Sequence, residues 1–205
     1  MKVANLIIVS ILTGLLLIYT FSFGQNIQSA FVVALALLAF FAKNEVNSQY
    51  LVIAFLVVFA LGKILLYPIE IYIYPNYSGF IQNLSGFGLG LLLDLVLIYL
   101  VRNRMELSLI ITRGKAPSVL EKNYADGPLL GLLVCLAAID SIALIENTIR
   151  HLEYLGFDEN FAKQFRGMTF FYDYYEYFKS SLISISIAVL YMGVVIRKRQ
   201  MPSAA

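Results

Sequence analysis

The sequence predicts an all-α fold, a polytopic membrane bundle of about six transmembrane helices that forms a single integral membrane domain over residues 1–205. Hydrophobic residues make up 60% of the chain and the mean hydropathy is +0.79. Charged residues make up 14%, whereas ordinary soluble domains have about 25%. The apolar residues also arrive in long runs, and about 20 of them suffice to cross a bilayer.

The first two predicted spans lie close together at the N-terminus. The apolar run that follows Lys2 resembles a secretory signal peptide, and residues 22–24 fit a cleavage site. We expect this segment to be retained as a first span over residues 4–23. A tight turn at residues 24–26 then leads into a short second span over residues 27–42.

The third predicted span covers residues 50–74 and contains two interruptions. A polar loop at residues 43–49 precedes it, and a Pro- and Gly-containing turn at residues 75–79 follows it. Pro68 removes a backbone hydrogen bond inside the helix, so we expect a kink there. Lys63 lies one turn before this kink.

Two longer connections separate the remaining spans. The first, over residues 102–127, is basic, and its apolar middle at residues 105–112 is suited to lie on the membrane surface. The second, over residues 150–178, is the longest connection in the chain. The remaining predicted spans cover residues 80–101, 128–148 and 180–196.

The distribution of Lys and Arg predicts the orientation in the membrane. Basic residues concentrate in cytoplasmic loops, and six spans place most of them on one side. We therefore predict that both termini are cytoplasmic. The basic residues on that side are Lys2, Lys43, Arg102, Arg104, Arg113, Lys115, Lys122, Arg197, Lys198 and Arg199, and those opposite are Arg150, Lys163, Arg166 and Lys179.

Ionisable residues inside the predicted spans are the main functional candidates, because a charge at the bilayer centre costs about 2.5–3.5 kcal/mol. We predict an ion pair between Lys63 and Asp140, which lie at similar depth, with Asp94 as the second choice. Such a pair could serve transport or could only fix helix register. The predicted polar network comprises Lys63, Glu70, Asp94, Asp140 and Glu146.

Small residues at helical spacing predict close helix packing. Gly86 and Gly90 are four residues apart in the fourth span, which lets a neighbouring backbone approach. Gly127 and Gly131 repeat this spacing at the start of the fifth span. The contacts could form within one subunit or between subunits.

The segment before the last span, residues 170–178, is unusually aromatic. Its Tyr and Phe side chains are typical of a belt at the membrane interface. They are also enriched in recognition surfaces. The candidate residues for such a partner surface are Phe171, Tyr172, Tyr174 and Tyr175.

No motif predicts catalysis, a metal or a cofactor. The Gly-x-Gly-Asp motif of intramembrane aspartyl proteases is not formed, because Leu91 follows Gly90 and Asp94 comes later. The single histidine, His151, has no clustered metal ligands in the sequence. The net charge of +2 gives no indication of a nucleic-acid partner.

We therefore expect a non-catalytic membrane protein, a channel-like or transport component for an ion or small solute. Its expected partners are the lipid bilayer and either further copies of the chain or another membrane protein. The alternative is a structural or sensory subunit of a larger complex. A membrane-embedded enzyme is the third alternative.

Overall fold

The computed structural model describes residues 27–43, 45–114 and 120–200, and these residues form helices and turns without a strand. The predicted all-α class is confirmed for this part of the chain. The described helices are α1 (Ile27–Phe41), α2 (Val46–Pro68), α3 (Gly79–Arg102), α4 (Arg104–Thr112), α5 (Asp126–Arg150), α6 (Glu159–Lys163) and α7 (Phe170–Gln200).

Four helical segments are long and apolar enough to cross a membrane: Val46–Ile73, Gly79–Arg102, Asp126–Arg150 and Phe170–Arg197. The described part of helix α1 has 15 residues, about 22 Å at 1.5 Å per residue. The first predicted span, residues 4–23, lies outside the described residues. The described residues thus support four of the predicted spans and do not show the predicted count of about six.

Helix α2 begins earlier and ends differently from the predicted third span. The Glu45 carboxylate accepts the backbone N–H of Ser48 at 2.5 Å, which caps the helix inside the predicted loop. After Pro68 the helix continues as one π-helical turn over Ile69–Ile73. Proline cannot donate a backbone hydrogen bond, and the wider π-helical turn accommodates this missing bond.

Helix α7 begins at Phe170, ten residues before the predicted last span. Its first turn is anchored by Glu146 of α5, whose two carboxylate oxygens accept the backbone N–H groups of Phe171 and Tyr172, each at 2.8 Å. The aromatic segment is therefore helical, and the prediction that it is part of a loop is wrong. Lys179, which the sequence placed in the same loop, lies inside α7.

The long helices alternate in direction. At one end of the bundle, Arg104 joins Asn47 at the start of α2 to Asp126 at the start of α5. At the other end, Asn147 near the end of α5 donates to the carbonyl oxygen of Phe80 at the start of α3. Helices α2 and α5 therefore run one way, and α3 and α7 run the other.

Helix α7 is the most buried of the four long helices. Half of the residues in its apolar window are buried, against 22–28% in the other three long helices. Those three present apolar side chains outward, such as Ile64 and Leu92. An apolar outer surface of this kind suits a lipid environment. The central core includes Phe31, Leu35, Leu51, Phe55, Leu97, Leu133, Leu136, Leu190 and Val194.

Candidate functional site

Lys179 of α7 lies between two aspartates from different helices. Its Nζ donates to Asp94 Oδ2 of α3 at 2.9 Å and to Asp140 Oδ2 of α5 at 2.5 Å. Only 15% of the lysine side chain is exposed, and the side chains of Asp94 and Asp140 are 6% and 0% exposed. One ammonium group thus joins three helices through buried ion pairs.

Tyr175 extends the cluster by one helical turn of α7. Its hydroxyl donates to Asp140 Oδ1 at 2.7 Å, so both oxygens of that carboxylate are occupied. The Lys179 ammonium lies 5.8 Å from the centre of the Tyr175 ring, which adds a cation–π contact. We call Asp94, Asp140, Tyr175 and Lys179 the charged cluster.

Gly90 makes room for the charged cluster. A Cβ at this position would lie 2.7 Å from Asp140 Oδ2 and 3.3 Å from Lys179 Nζ. Both atoms belong to a tight ion pair and have little freedom to move. The glycine thus lets α3 approach a carboxylate of α5, whereas the sequence predicted an approach between helix backbones.

The charges in the cluster do not balance. One lysine faces two aspartates, so the fully ionised cluster carries one excess negative charge. Two buried carboxylates near one ammonium are a suitable arrangement for a proton or another cation that can be exchanged.

The charged cluster borders a cavity of about 530 Å³ between α2, α3 and α7. Asp94, Tyr175 and Lys179 lie on its wall. The other charged residues on the wall are Lys63, Asp173 and Glu176, and the aromatic ones are Phe31, Phe59, Tyr74, Phe87 and Tyr172.

The predicted ion pair between Lys63 and Asp140 is wrong, because Asp140 is paired with Lys179. Helix α5 packs along α3 and α7, whereas Lys63 lies on α2, which packs against α1, α3 and α7. Lys63 lies on the cavity wall and forms no ion pair with the described residues. Asp94, the second choice, is likewise paired with Lys179.

The other two members of the predicted polar network lie outside the charged cluster. Glu70 is exposed on the π-helical turn after α2. Glu146 is buried but accepts the backbone N–H groups at the start of α7. The Arg150 guanidinium lies 4.8 Å from the centre of the Tyr172 ring. Glu146 and Arg150 therefore hold the start of α7 against α5.

The other glycines predicted to pack have looser surroundings. A Cβ at Gly86 would lie 3.4 Å from the Tyr74 hydroxyl, an ordinary contact. A Cβ at Gly127 or Gly131 would meet none of the described residues within 4 Å, and both glycines are exposed. The predicted contact at these two positions is therefore not formed within the described part of the chain.

The candidate partner surface divides between two faces of α7. Tyr172 and Tyr175 lie on the cavity wall, and the Phe87 ring lies 4.6 Å from that of Tyr175. Tyr174 is 50% exposed. Phe171 is half-buried. Two of the four candidate residues for a partner surface thus line the cavity.

A second buried polar cluster, which we call the end network, holds the opposite end of the bundle together. Arg104, 1% exposed, donates to Asn47 Oδ1 at 2.5 Å and to Asp126 Oδ2 at 2.8 Å. Asn123 donates to Asn47 Oδ1 and to the Ser48 hydroxyl. These bonds connect the starts of α2, α4 and α5.

Arg197 joins the end of α7 to the same network. Its guanidinium lies 3.5 Å from Glu45 Oε1 and donates to Glu121 Oε2 at 2.6 Å. Gly193 lets the 120–126 connection approach, because a Cβ there would lie 2.9 Å from that of Ala125. The sequence places Arg104 in a loop and Arg197 in the C-terminal tail, whereas the tertiary structure shows that both side chains are buried.

No protein-family model, no curated protein and no solved structure matches this chain. Among the described residues, the charged cluster and its cavity combine buried charge with open space. The end network does not border this cavity.

Proposed function

We propose that this chain is a multi-pass membrane protein that acts as a channel-like or transport component for an ion or small solute. In this proposal six helices cross the membrane, both termini are cytoplasmic, and the active form is a homo-oligomer. The observation that carries the proposal is the charged cluster on the wall of the cavity between α2, α3 and α7.

The depth of the cluster supports this role. Lys179 lies nine residues from the start of α7, and Asp140 lies ten residues from the end of α5. At 1.5 Å per residue these positions are about 14–15 Å from that end of the bundle, near the middle of a core about 30 Å thick. Charged groups at this depth commonly mark paths for ions or substrates.

The basic residues support the proposed orientation. Lys179 lies inside α7, so it no longer counts among the basic residues on the less basic side. The difference in the number of basic residues between the two sides therefore becomes larger. Arg104 and Arg197 lie at the end of the bundle where α3 and α7 finish. Under the positive-inside rule, that end faces the cytoplasm.

Reconstitution into liposomes tests the proposal. We expect purified protein to give proton, Na⁺ or K⁺ flux above that of protein-free liposomes. Asp94→Asn removes one carboxylate of the cluster and should lower that flux at least tenfold. Glu106→Gln, at an exposed position of α4, should leave the flux unchanged. Equal flux in wild-type and protein-free liposomes would remove the support for an ion channel or ion-coupled transporter.

A structural or sensory subunit of a larger complex is the second candidate. It is favoured by the exposed face of α5 around Gly127 and Gly131, where a Cβ added to either glycine would meet no described residue within 4 Å. Small residues of this kind allow a helix from another chain to approach closely. Purification in a mild detergent distinguishes the two candidates, since a subunit should retain a second protein at fixed stoichiometry.

A further inference from the structure

The cavity combines negative charge with aromatic walls. Its charged wall residues are three acids, Asp94, Asp173 and Glu176, and two lysines, Lys63 and Lys179. Asp140 adds a fourth carboxylate directly behind the wall, 2.5 Å from Lys179. Fully ionised groups therefore leave the site net negative, which favours a cation over an anion.

Six aromatic residues line the same cavity. Phe87 packs against two tyrosines, with its ring centre 4.6 Å from that of Tyr175 and 6.4 Å from that of Tyr172. The faces of such rings attract cations, and clusters of rings are a frequent means of binding organic ammonium groups. The remaining rings on the wall are Phe31, Phe59 and Tyr74.

Lys179 shows that an ammonium group fits this environment. Its Nζ is held by Asp94 and Asp140 and lies 5.8 Å from the centre of the Tyr175 ring. Carboxylates and aromatic rings thus already bind one primary ammonium within the chain. A ligand with the same group would meet the same chemistry in the adjoining space.

Glu176 supplies the carboxylate for such a ligand. It lies on the cavity wall, and its side chain forms no ion pair or hydrogen bond with the described residues. It follows Tyr175 and precedes Lys179 by less than one turn of α7. Asp94 and Asp140, by contrast, are both bonded to Lys179.

We propose that the cavity binds a small organic ammonium ion, with Glu176 as its counter-ion and the rings of Phe87, Tyr172 and Tyr175 around its apolar body. This inference rests on the proposed function, because it names the class of solute for the same cavity. A volume of about 530 Å³ lies within the usual range of about 300–1,000 Å³ for small-molecule sites.

Equilibrium binding of radiolabelled phenethylamine to the full chain in maltoside micelles tests the proposal. Phenethylamine should bind saturably, whereas 3-phenylpropionate and 2-phenylethanol, which lack the positive charge, should compete at least tenfold more weakly. Glu176→Gln should raise the Kd for phenethylamine at least tenfold. Lys63→Gln should lower it, because it removes a like charge from the wall. Glu106→Gln is the matched control and should leave it unchanged.

The ammonium group could come from a free amine or from a lipid headgroup. Nanodiscs with phosphatidylethanolamine and nanodiscs with phosphatidylglycerol distinguish the two sources. If the lipid headgroup is the ligand, phosphatidylethanolamine should weaken phenethylamine binding severalfold relative to phosphatidylglycerol. If a free amine is the ligand, the two Kd values should agree. Both results agree with an ammonium-binding site in the cavity.

Three results would overturn the inference: no saturable binding of phenethylamine, equal competition by 3-phenylpropionate, or an unchanged Kd in folded Glu176→Gln protein. Size-exclusion chromatography in detergent establishes whether that variant is folded. Ion flux through liposomes is measured separately. If wild-type protein conducts ions but binds no phenethylamine, the ammonium site is wrong and the proposed transport role stands.

Discussion

Lys179 determines the chemistry of the bundle at the scale of single residues. It contacts Asp94 and Asp140 from two neighbouring helices, and all three side chains are at most 15% exposed. Loss of one member of a buried pair commonly costs about 3–5 kcal/mol, because the remaining charge has no partner. Here the loss of Lys179 would leave two carboxylates close together.

We expect Lys179→Met to reduce the free energy of unfolding by about 3–5 kcal/mol. Thermal unfolding in detergent, followed by circular dichroism, measures the loss. Lys63→Met is the matched control, since Lys63 forms no ion pair with the described residues, and should change the stability by less than about 1 kcal/mol. Equal stability of the two variants would show that the cluster does not hold the helices together.

Gly90→Ala tests the close approach of α3 to the cluster. The added Cβ would lie 2.7 Å from Asp140 Oδ2, so we expect a loss of about 1–3 kcal/mol from overpacking. Gly88 lies on the same helix, and a Cβ added there would meet no described residue within 4 Å. Gly88→Ala should therefore be neutral or stabilising by up to about 1 kcal/mol. The difference in unfolding free energy between the two variants measures the effect, and equal stabilities would contradict the packing described above.

At the scale of helices, side chains from neighbouring elements determine where α7 starts. Its first N–H groups have no partners within the helix. Glu146 of α5 satisfies two of them and places negative charge at the positive end of the helix dipole. The start of α7 thus depends on a residue from another helix, far earlier in the chain.

Glu146→Ala should destabilise the first turns of α7 by about 1–2 kcal/mol. Hydrogen exchange of a peptide that contains Phe171 and Tyr172 should then become about 5–30 times faster. Glu159→Ala, in an exposed ion pair on α6, is the control and should leave this peptide unchanged. Unchanged exchange in Glu146→Ala would show that packing alone fixes the start of α7.

The end network can be tested in the same way at the opposite end of the bundle. Arg104→Gln should reduce the free energy of unfolding by about 3–5 kcal/mol, because Asp126 then loses its buried cationic partner. Arg102→Gln, an exposed position two residues earlier, should be nearly neutral. Denaturation midpoints in detergent compare the two. A small effect at Arg104 would mean that water replaces the arginine.

At the scale of the whole molecule, the alternating helices determine which segments lie at the same end of the bundle. The α4 region lies at the same end as the starts of α2 and α5, because Arg104 contacts Asn47 and Asp126. The turn at Tyr77 lies at the other end, between α2 and α3. The two regions must therefore face opposite sides if α2 and α3 cross the bilayer.

Cysteine labelling in intact cells tests this arrangement on a Cys135→Ser background. We expect Arg113→Cys to react only after the membrane is made permeable, and Tyr77→Cys to react with an impermeant maleimide from outside. Both positions are exposed. The reverse pattern would contradict the proposed orientation, and labelling of both from one side would contradict the alternating spans.

Composition and hydropathy were sufficient to predict the helical class and the centres of the long helices. The predicted span 80–101 differs from α3 by one residue at each end. A long apolar run can be recognised in the sequence without knowledge of the helices that pack against it. Asp94 and Asp140 could likewise be identified as important, because a buried charge is costly whatever its partner.

The partners of those charges were decided only by the tertiary structure. Lys179 was assigned to the connection before the last predicted span, and Glu146, which caps α7, lies 25 residues before Phe171. The pairing of Lys179 with two aspartates depends on which helices α7 contacts. That choice follows from side-chain packing among helices, which no local pattern of residues encodes. The sequence by itself determined which segments form long apolar helices, and the packing determined which groups each charge contacts.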